Sequence, residues 1–142
     1  MSAALSPPVY SDIVDAASRL RGQAVRTPLL RNDVLDDRLQ ARVFLKAECL
    51  QRTGSFKFRG AFNRISRLDP SEKARGVLAY SSGNHAQGVA AAARLNGTTA
   101  KILMPSDAPR AKVDGVQFWG GEVVEYDRGT ENRERSEEHT SE

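Results

Sequence analysis

The chain has 142 residues, of which 39% are hydrophobic and 27% are charged, a composition typical of a soluble globular domain. No apolar run approaches the roughly 20 residues of a membrane-spanning helix, the N-terminus lacks the features of a secretory signal, and the one cysteine, Cys49, has no disulfide partner in the chain, so we expect a cytoplasmic protein without membrane contacts. The net charge of +3 comes from scattered arginines rather than from a basic block, which argues against nucleic-acid binding.

Hydrophobic spacing and turn residues predict nine elements. In chain order these are a helix at residues 11–21, an extended segment at 27–30, a strand at 43–47, a helix at 56–68, a strand at 77–80, a helix at 85–95, a strand at 100–104, a helix at 111–119 and a strand at 123–126. Ser11 and Ser55 are the predicted caps of the first two helices, and Asp69-Pro70 is the predicted end of the second.

The alternation of short strands and helices after residue 76 predicts the fold class. Such a pattern is typical of an α/β protein whose parallel sheet is covered by helices on both faces. The sequence stops soon after the third of these strands, where a parallel sheet would be expected to continue. We therefore interpret the fold as incomplete.

Lys57 stands out because its surroundings disfavour a charged amine. It falls in the first turn of a predicted helix, where the partial positive charge of the helix N-terminus opposes a cation. The flanking Phe56 and Phe58 predict apolar surroundings, which oppose the ammonium form as well. Both effects favour the neutral amine that a Schiff-base nucleophile requires. The alternative is an ordinary exposed lysine on a helix surface.

A polar loop, Ser81-Ser82-Gly83-Asn84-His85, follows the first strand of the alternating region. Ligands bind at the carboxyl ends of parallel strands, and the start of the following helix offers free N–H groups to an anion such as a carboxylate. Gly83 would allow a backbone conformation that exposes these amides. The alternative is structural, because Asn84 with Gln87 three residues later also forms the pattern of a capping box.

The two segments together resemble the threonine/serine dehydratases, which are pyridoxal-phosphate enzymes of fold type II. The residues around the lysine that match the family pattern are Lys46, Glu48, Gln51, Thr53, Gly54, Ser55, Phe56, Lys57, Arg59, Gly60 and Ala61. The resemblance extends over almost all of residues 10–134. It implies that residues 1–50 belong to a partial large domain and residues 51–134 to an incomplete small α/β domain.

The resemblance also implies a cofactor and a site. Pyridoxal 5'-phosphate would be bound covalently by Lys57, beside Phe56, and the lysine would later carry a proton on one face of the substrate. Asn84 would hydrogen-bond the ring hydroxyl of the cofactor, and Ser82 matches the acid/base residue of related serine racemases. The carboxylate of a small hydroxy-amino acid would be bound by Ser81, Ser82, Gly83, Asn84 and His85. No metal site is predicted, and the intact parent would be a homo-oligomer.

The implied reaction of the parent is the elimination of water from L-threonine or L-serine, which gives a 2-oxo acid and ammonia. Serine racemisation and 3-hydroxyaspartate dehydration are alternatives within the family. A non-catalytic α/β binding domain that keeps the lysine by descent is an alternative of another class. The family's glycine-rich phosphate loop does not occur in the sequence. We therefore expect that the chain as written does not bind the cofactor stably and has no turnover.

Residues 135–142, Arg-Ser-Glu-Glu-His-Thr-Ser-Glu, resemble the translation of a sequencing-adapter oligonucleotide. We therefore expect the natural part of this sequence to stop near Glu134 and the tail to be read-through of library DNA, with a natural polar C-terminus as the alternative. Foreign segments are left out of fold reasoning, and His139 is accordingly not a candidate for the site.

Overall fold

A three-stranded parallel sheet lies at the centre of the structure, a computed structural model that describes residues 6–129. The adapter-like segment 135–142 lies outside the described residues. The helices are α1 (Tyr10–Leu20), α2 (Asp33–Leu39), α3 (Lys57–Ile65), α4 (Pro70–Arg75), α5 (Asn84–Leu95) and α6 (Arg110–Phe118), with one 3-10 turn at Glu48–Leu50. The strands are β1 (Leu29–Leu30), β2 (Leu45–Lys46), β3 (Val77–Tyr80), β4 (Ala100–Pro105) and β5 (Glu122–Tyr126). None of the helices within residues 6–129 has both the length and the apolar character needed to cross a bilayer.

The strand order β3-β4-β5 places the longest strand in the middle. Both pairs are parallel, with Tyr80 opposite Leu103 and Leu103 opposite Val124. Strand side chains alternate between the two faces, and Ile102 and Met104 of β4 are fully buried on one face. The α/β fold with a parallel sheet and helices is therefore confirmed.

The core forms where α3, α5 and α6 pack on the face that carries Ile102 and Met104. The middle of α5 is a run of four buried alanines, Ala90 to Ala93. Because alanine has almost no side chain, α5 can approach α3 and β4 closely. Phe58 and Phe62 of α3 fill the space beside α5, with their rings 5.7 Å apart.

The opposite face of the sheet carries Leu78, Tyr80, Leu103 and Val124, which alternate with the core residues. Leu103 is buried, whereas Leu78 remains exposed and the other two are partly exposed. Within residues 6–129 the helices that build the core lie on the other face. A second helical layer therefore stays a prediction.

Most boundaries differ from the predicted ones by one or two residues, and two predicted caps and one helix end are wrong. Ser11 does not cap α1, because the helix begins at Tyr10 and the backbone N–H of Val9 donates to the Asp12 carboxylate at 2.8 Å. Ser55 does not fully cap α3, since its hydroxyl lies 3.4 Å from the amide nitrogen of Lys57 and the N-cap residue is Phe56. α3 also ends at Ile65, three residues before the predicted end at 68.

Two short helices were not predicted. α2 is capped by Asn32, whose side chain accepts from the N–H of Leu35 at 3.0 Å. α4 begins at Pro70, with Asp69 and Glu72 in a reciprocal capping box. Pro70 begins a helix rather than only ending one, because proline is favoured at the first helical position, where no N–H is needed. The proline thus separates α3 from a new helix.

Candidate functional site

Lys57 is the first residue of α3, and it is exposed. The Nζ atom lies 5.0 Å from the centroid of the Phe56 ring, close enough for a cation–π contact. Phe56 itself is 59% exposed, whereas Phe58 points into the core and is fully buried. The apolar enclosure predicted on both sides of the amine is therefore present on one side only and is open to water.

A partly buried network of hydrogen bonds centred on Glu48 fixes the start of α3. Arg59 donates to both carboxylate oxygens of Glu48, at 2.8 and 2.7 Å, and the hydroxyl of Thr27 donates to the same carboxylate. These hydrogen bonds, with that of Arg59 the largest, lower the pKa of Glu48 from 4.5 to about 2 against the opposing effect of burial. Lys46 closes the network by donating to the Thr27 carbonyl at 2.6 Å.

Gln51 makes a second connection to the same N-terminal segment. Its amide oxygen accepts from the N–H of Val25 at 2.8 Å, and its amide nitrogen donates to the Val25 carbonyl at 2.9 Å. Gln51 is buried, so breaking its two hydrogen bonds to Val25 would leave polar groups without partners, which is costly. Arg59 also donates to the Val25 carbonyl at 3.1 Å. The residues matched to the family pattern therefore hold the helix on which Lys57 sits.

The polar loop follows directly from β3. The N–H of Ser81 continues the sheet by donating to the Leu103 carbonyl at 3.0 Å, and the Ser81 hydroxyl accepts from the N–H of Gly83 at 3.1 Å. Gly83 has φ −140° and ψ −145°, so its backbone is not in the left-handed region. α5 begins at Asn84, and the first-turn amides of a helix have no partner within the helix.

One cleft of about 590 Å³ joins the lysine and the loop. Its lining consists of Lys57, Leu78, Ala79, Tyr80, Ser81, Ser82 and His85. Burial, and then the positive charge of Lys57, lower the pKa of His85. An imidazole of lowered pKa, two serine hydroxyls, Tyr80 and a primary amine therefore share a cleft at the carboxyl end of β3, as expected for open α/β sheets.

Asn84 is placed differently from its neighbours in the loop. Its side chain lies outside the cleft lining, and its amide oxygen accepts from the Lys112 amine at 2.7 Å. The capping box with Gln87 is not formed, because the N-cap residue is Gly83 and no side chain caps the helix. The predicted capping box is therefore wrong, and the side-chain partner of Asn84 is instead a residue of α6.

Gly88 is a site residue that sequence reasoning missed. A Cβ atom at this position would lie 3.2 Å from the carbonyl carbon of Lys57 and 3.2 Å from the nitrogen of Phe58. Real Cβ atoms rarely come this close to backbone atoms, so the absence of a side chain lets α5 cross α3 at the lysine. The signal was available, since a glycine within an alanine-rich helix costs about 1 kcal/mol relative to alanine.

Comparison with known proteins gives the family. The family described as "Pyridoxal-phosphate dependent enzyme" matches residues 20–142. The chain belongs to this family. The dependence of this family on pyridoxal phosphate agrees with the resemblance found around Lys57.

Three similar proteins differ in their activities. The L-threo-3-hydroxyaspartate ammonia-lyase of a Pseudomonas species is 56% identical over 126 residues, which cover 89% of this chain and 40% of that protein. The catabolic L-threonine dehydratase of Escherichia coli is 44% identical over 83% of this chain and 36% of its own length. The structure of maize serine racemase has a TM-score of 0.86 and 39% identity, covering 91% of this chain and 39% of that one. The chain thus spans about two fifths of the length of its relatives.

The described residues fit the aldehyde of the family's cofactor. Pyridoxal phosphate carries an aldehyde that reacts with a primary amine, and Lys57 lines the cleft beside Ser81 and Ser82. Lys57 would therefore hold the cofactor, whose ring serves as an electron sink when bound. The glycine-rich loop that holds the phosphate in the family does not occur in the sequence.

Proposed function

We propose that the protein, at the full length of its relatives, is a pyridoxal-phosphate-dependent ammonia-lyase. It eliminates water from a small β-hydroxy amino acid and releases a 2-oxo acid and ammonia. The observation that carries this proposal is the shared cleft of Lys57, Ser81, Ser82 and His85. The ammonia-lyase and dehydratase activities of two relatives support it.

In this proposal each polar residue of the cleft has its own role. Lys57 holds the cofactor and then takes the proton from the substrate Cα. The hydroxyls of Ser81 and Ser82 and the amides at the start of α5 bind the substrate carboxylate, which a helix N-terminus favours. His85, whose pKa is lowered by burial and by Lys57, donates a hydrogen bond as a neutral group.

The first substrate to test is L-threo-3-hydroxyaspartate, because the Pseudomonas ammonia-lyase named for it is 56% identical to this chain. L-threonine and L-serine follow. Serine racemisation is the second candidate, favoured by the position of Ser82 in the same cleft as Lys57. Racemisation needs two groups that exchange a proton with Cα, and a serine hydroxyl and a lysine amine supply them.

The role of Lys57 is tested by reductive trapping. The 142-residue chain is mixed with pyridoxal 5'-phosphate, reduced with borohydride and mapped by peptide mass spectrometry. We expect Lys57 to carry several times more label than the exposed Lys101, and Lys57→Ala to lose that label without a change in the labelling of Lys101. Equal labelling of both lysines would contradict the role of Lys57.

The reaction is tested on the product of the full-length gene. We expect 2-oxo acid and ammonia from at least one of the three hydroxy-amino acids, and no product from Lys57→Ala. Ser82→Ala separates the two candidates, because a racemase would lose D-serine formation, whereas elimination would continue with weaker substrate binding. A full-length protein without turnover on any of the substrates would instead support a non-catalytic binding domain. We also propose that this protein is a homo-oligomer, which light scattering after size-exclusion chromatography measures.

A further inference from the structure

Asn84 and Lys112 form a hydrogen-bonded pair between two helices. The Lys112 amine of α6 lies 2.7 Å from the amide oxygen of Asn84, the first residue of α5. An ammonium group only donates hydrogen bonds, so the Asn84 carboxamide must present its oxygen to Lys112. Its NH₂ group is consequently directed away from Lys112.

Two features of α6 favour the contact between Lys112 and Asn84. Asp114, the acidic residue of α6, pairs with Arg110 at 2.8 Å along the same helix, so it does not compete for the lysine. One turn further along the crossing, Gly115 packs against Gln87 so closely that an added Cβ would lie 2.5 Å from the side-chain nitrogen of Gln87. Gln87 follows Asn84 by three residues on α5, and Gly115 follows Lys112 by three residues on α6. The two pairs therefore lie along one line of contact between the helices.

We propose that Lys112 is a positioning residue that fixes the orientation of the Asn84 amide and makes Asn84 a hydrogen-bond donor towards the cofactor. Asn84 is then selective for a partner that accepts only, such as an ionised phenol oxygen on a pyridine ring. A free carboxamide could turn its oxygen to a neutral hydroxyl with similar ease. This inference rests on the proposed function, in which Asn84 meets the ring oxygen of pyridoxal phosphate.

The pair is tested first in the 142-residue chain, without cofactor, by NMR of the asparagine side-chain amides. The Asn84 signals are identified by their loss in Asn84→Ala. We expect Lys112→Met to shift them, Lys112→Arg to leave them close to their original positions, and the control Lys101→Met to have no effect. Unchanged Asn84 signals in Lys112→Met would overturn the proposal.

The consequence for the cofactor is tested in the full-length protein by a double-mutant cycle. If Asn84 no longer donates to the ionised ring oxygen, the cofactor loses one charge-assisted hydrogen bond. We then expect about fivefold weaker pyridoxal-phosphate binding in Lys112→Met, with a smaller share of the absorption band of the ionised ring oxygen. Lys112→Arg should restore both. In an Asn84→Ala background the Lys112→Met change should have no further effect.

The two levels of failure are distinguishable. Equal effects of Lys112→Met in the presence and absence of Asn84 would overturn the positioning role while leaving the proposed function intact. Loss of the proposed function itself would instead be seen as equal borohydride labelling of Lys57 and Lys101. A wild-type affinity and spectrum in Lys112→Met would also overturn the role of Lys112.

Discussion

Gly88 of α5 packs directly against the backbone of Lys57, where an added Cβ would meet the carbonyl carbon at 3.2 Å and the carbonyl oxygen at 3.3 Å. This contact sets the distance between the helix that carries the lysine and the helix that follows the polar loop. Since Gly88 itself is buried, neither helix can yield without disturbing the core. The cleft between Lys57 and Ser82 therefore depends on a residue that has no side chain.

Gly88→Ala is expected to destabilise the fold by on the order of 1 kcal/mol. Overpacking a tight contact costs about 1–3 kcal/mol, and the higher helix propensity of alanine returns about 1 kcal/mol. Gly88→Val should cost more, because valine is larger and a poorer helix former. Urea denaturation measures these changes, and borohydride trapping should show less label at Lys57 in both variants.

Gly60→Ala is the matched control within α3. No described atom beyond its chain neighbours and its own helix backbone lies within 4 Å of a Cβ added at Gly60, so the substitution should stabilise the chain by up to about 1 kcal/mol. Equal destabilisation by the two alanine substitutions would refute the specific contact between Gly88 and Lys57.

Glu48 is expected to make the stability of the chain depend on acid. Its pKa is about 2 in the folded chain and 4.5 when unperturbed, so its contribution is fully present above about pH 4.5 and is lost as the pH falls towards 2. Glu48→Gln should lower the free energy of unfolding by about 1–2 kcal/mol at neutral pH, after allowance for solvent screening.

The measurement is urea denaturation at a series of pH values. In wild type the free energy of unfolding should fall between about pH 4.5 and 2, and Glu48→Gln should flatten that fall. The exposed Glu122 of β5 offers the control Glu122→Gln, which should leave the slope in place. A slope unchanged by Glu48→Gln would assign the acid sensitivity to other carboxylates.

The central elements of the fold were predictable from sequence, and the contacts between them were not. β3 and α5 follow from an apolar strand, a polar turn and an alanine-rich helix that Asn96-Gly97 ends, and each of these signals is local. The pairs Lys57–Gly88 and Asn84–Lys112 join residues 31 and 28 positions apart. They arise where helices cross, which neither periodicity nor capping signals report.

Ser81 is expected to hold the loop, whereas Ser82 is the candidate for chemistry. The Ser81 hydroxyl accepts from the N–H of Gly83 at 3.1 Å, so Ser81→Ala leaves that N–H without its partner and should cost about 1 kcal/mol. Ser82→Ala removes no hydrogen bond of this kind within the described loop and should unfold like wild type. Amide hydrogen exchange should be faster at Gly83 in Ser81→Ala only. Equal protection of Gly83 in both variants would show that the loop does not need the Ser81 hydroxyl.

His85 should report the charge of Lys57, since both line the same cleft. Burial is the larger cause of its lowered pKa and the positive charge of Lys57 the smaller. Lys57→Met should therefore raise the pKa of His85 while leaving it below the unperturbed 6.5, and the control Lys101→Met should leave it unchanged. Because the unfolded chain binds this proton more readily, the stability contributed by neutral His85 is present above about pH 6.5 and declines as the pH falls through the folded pKa. NMR titration of the imidazole ring, with His85→Gln to identify its signal, measures the shift. An unchanged His85 titration in Lys57→Met would place the amine too far from the loop to share a substrate with it.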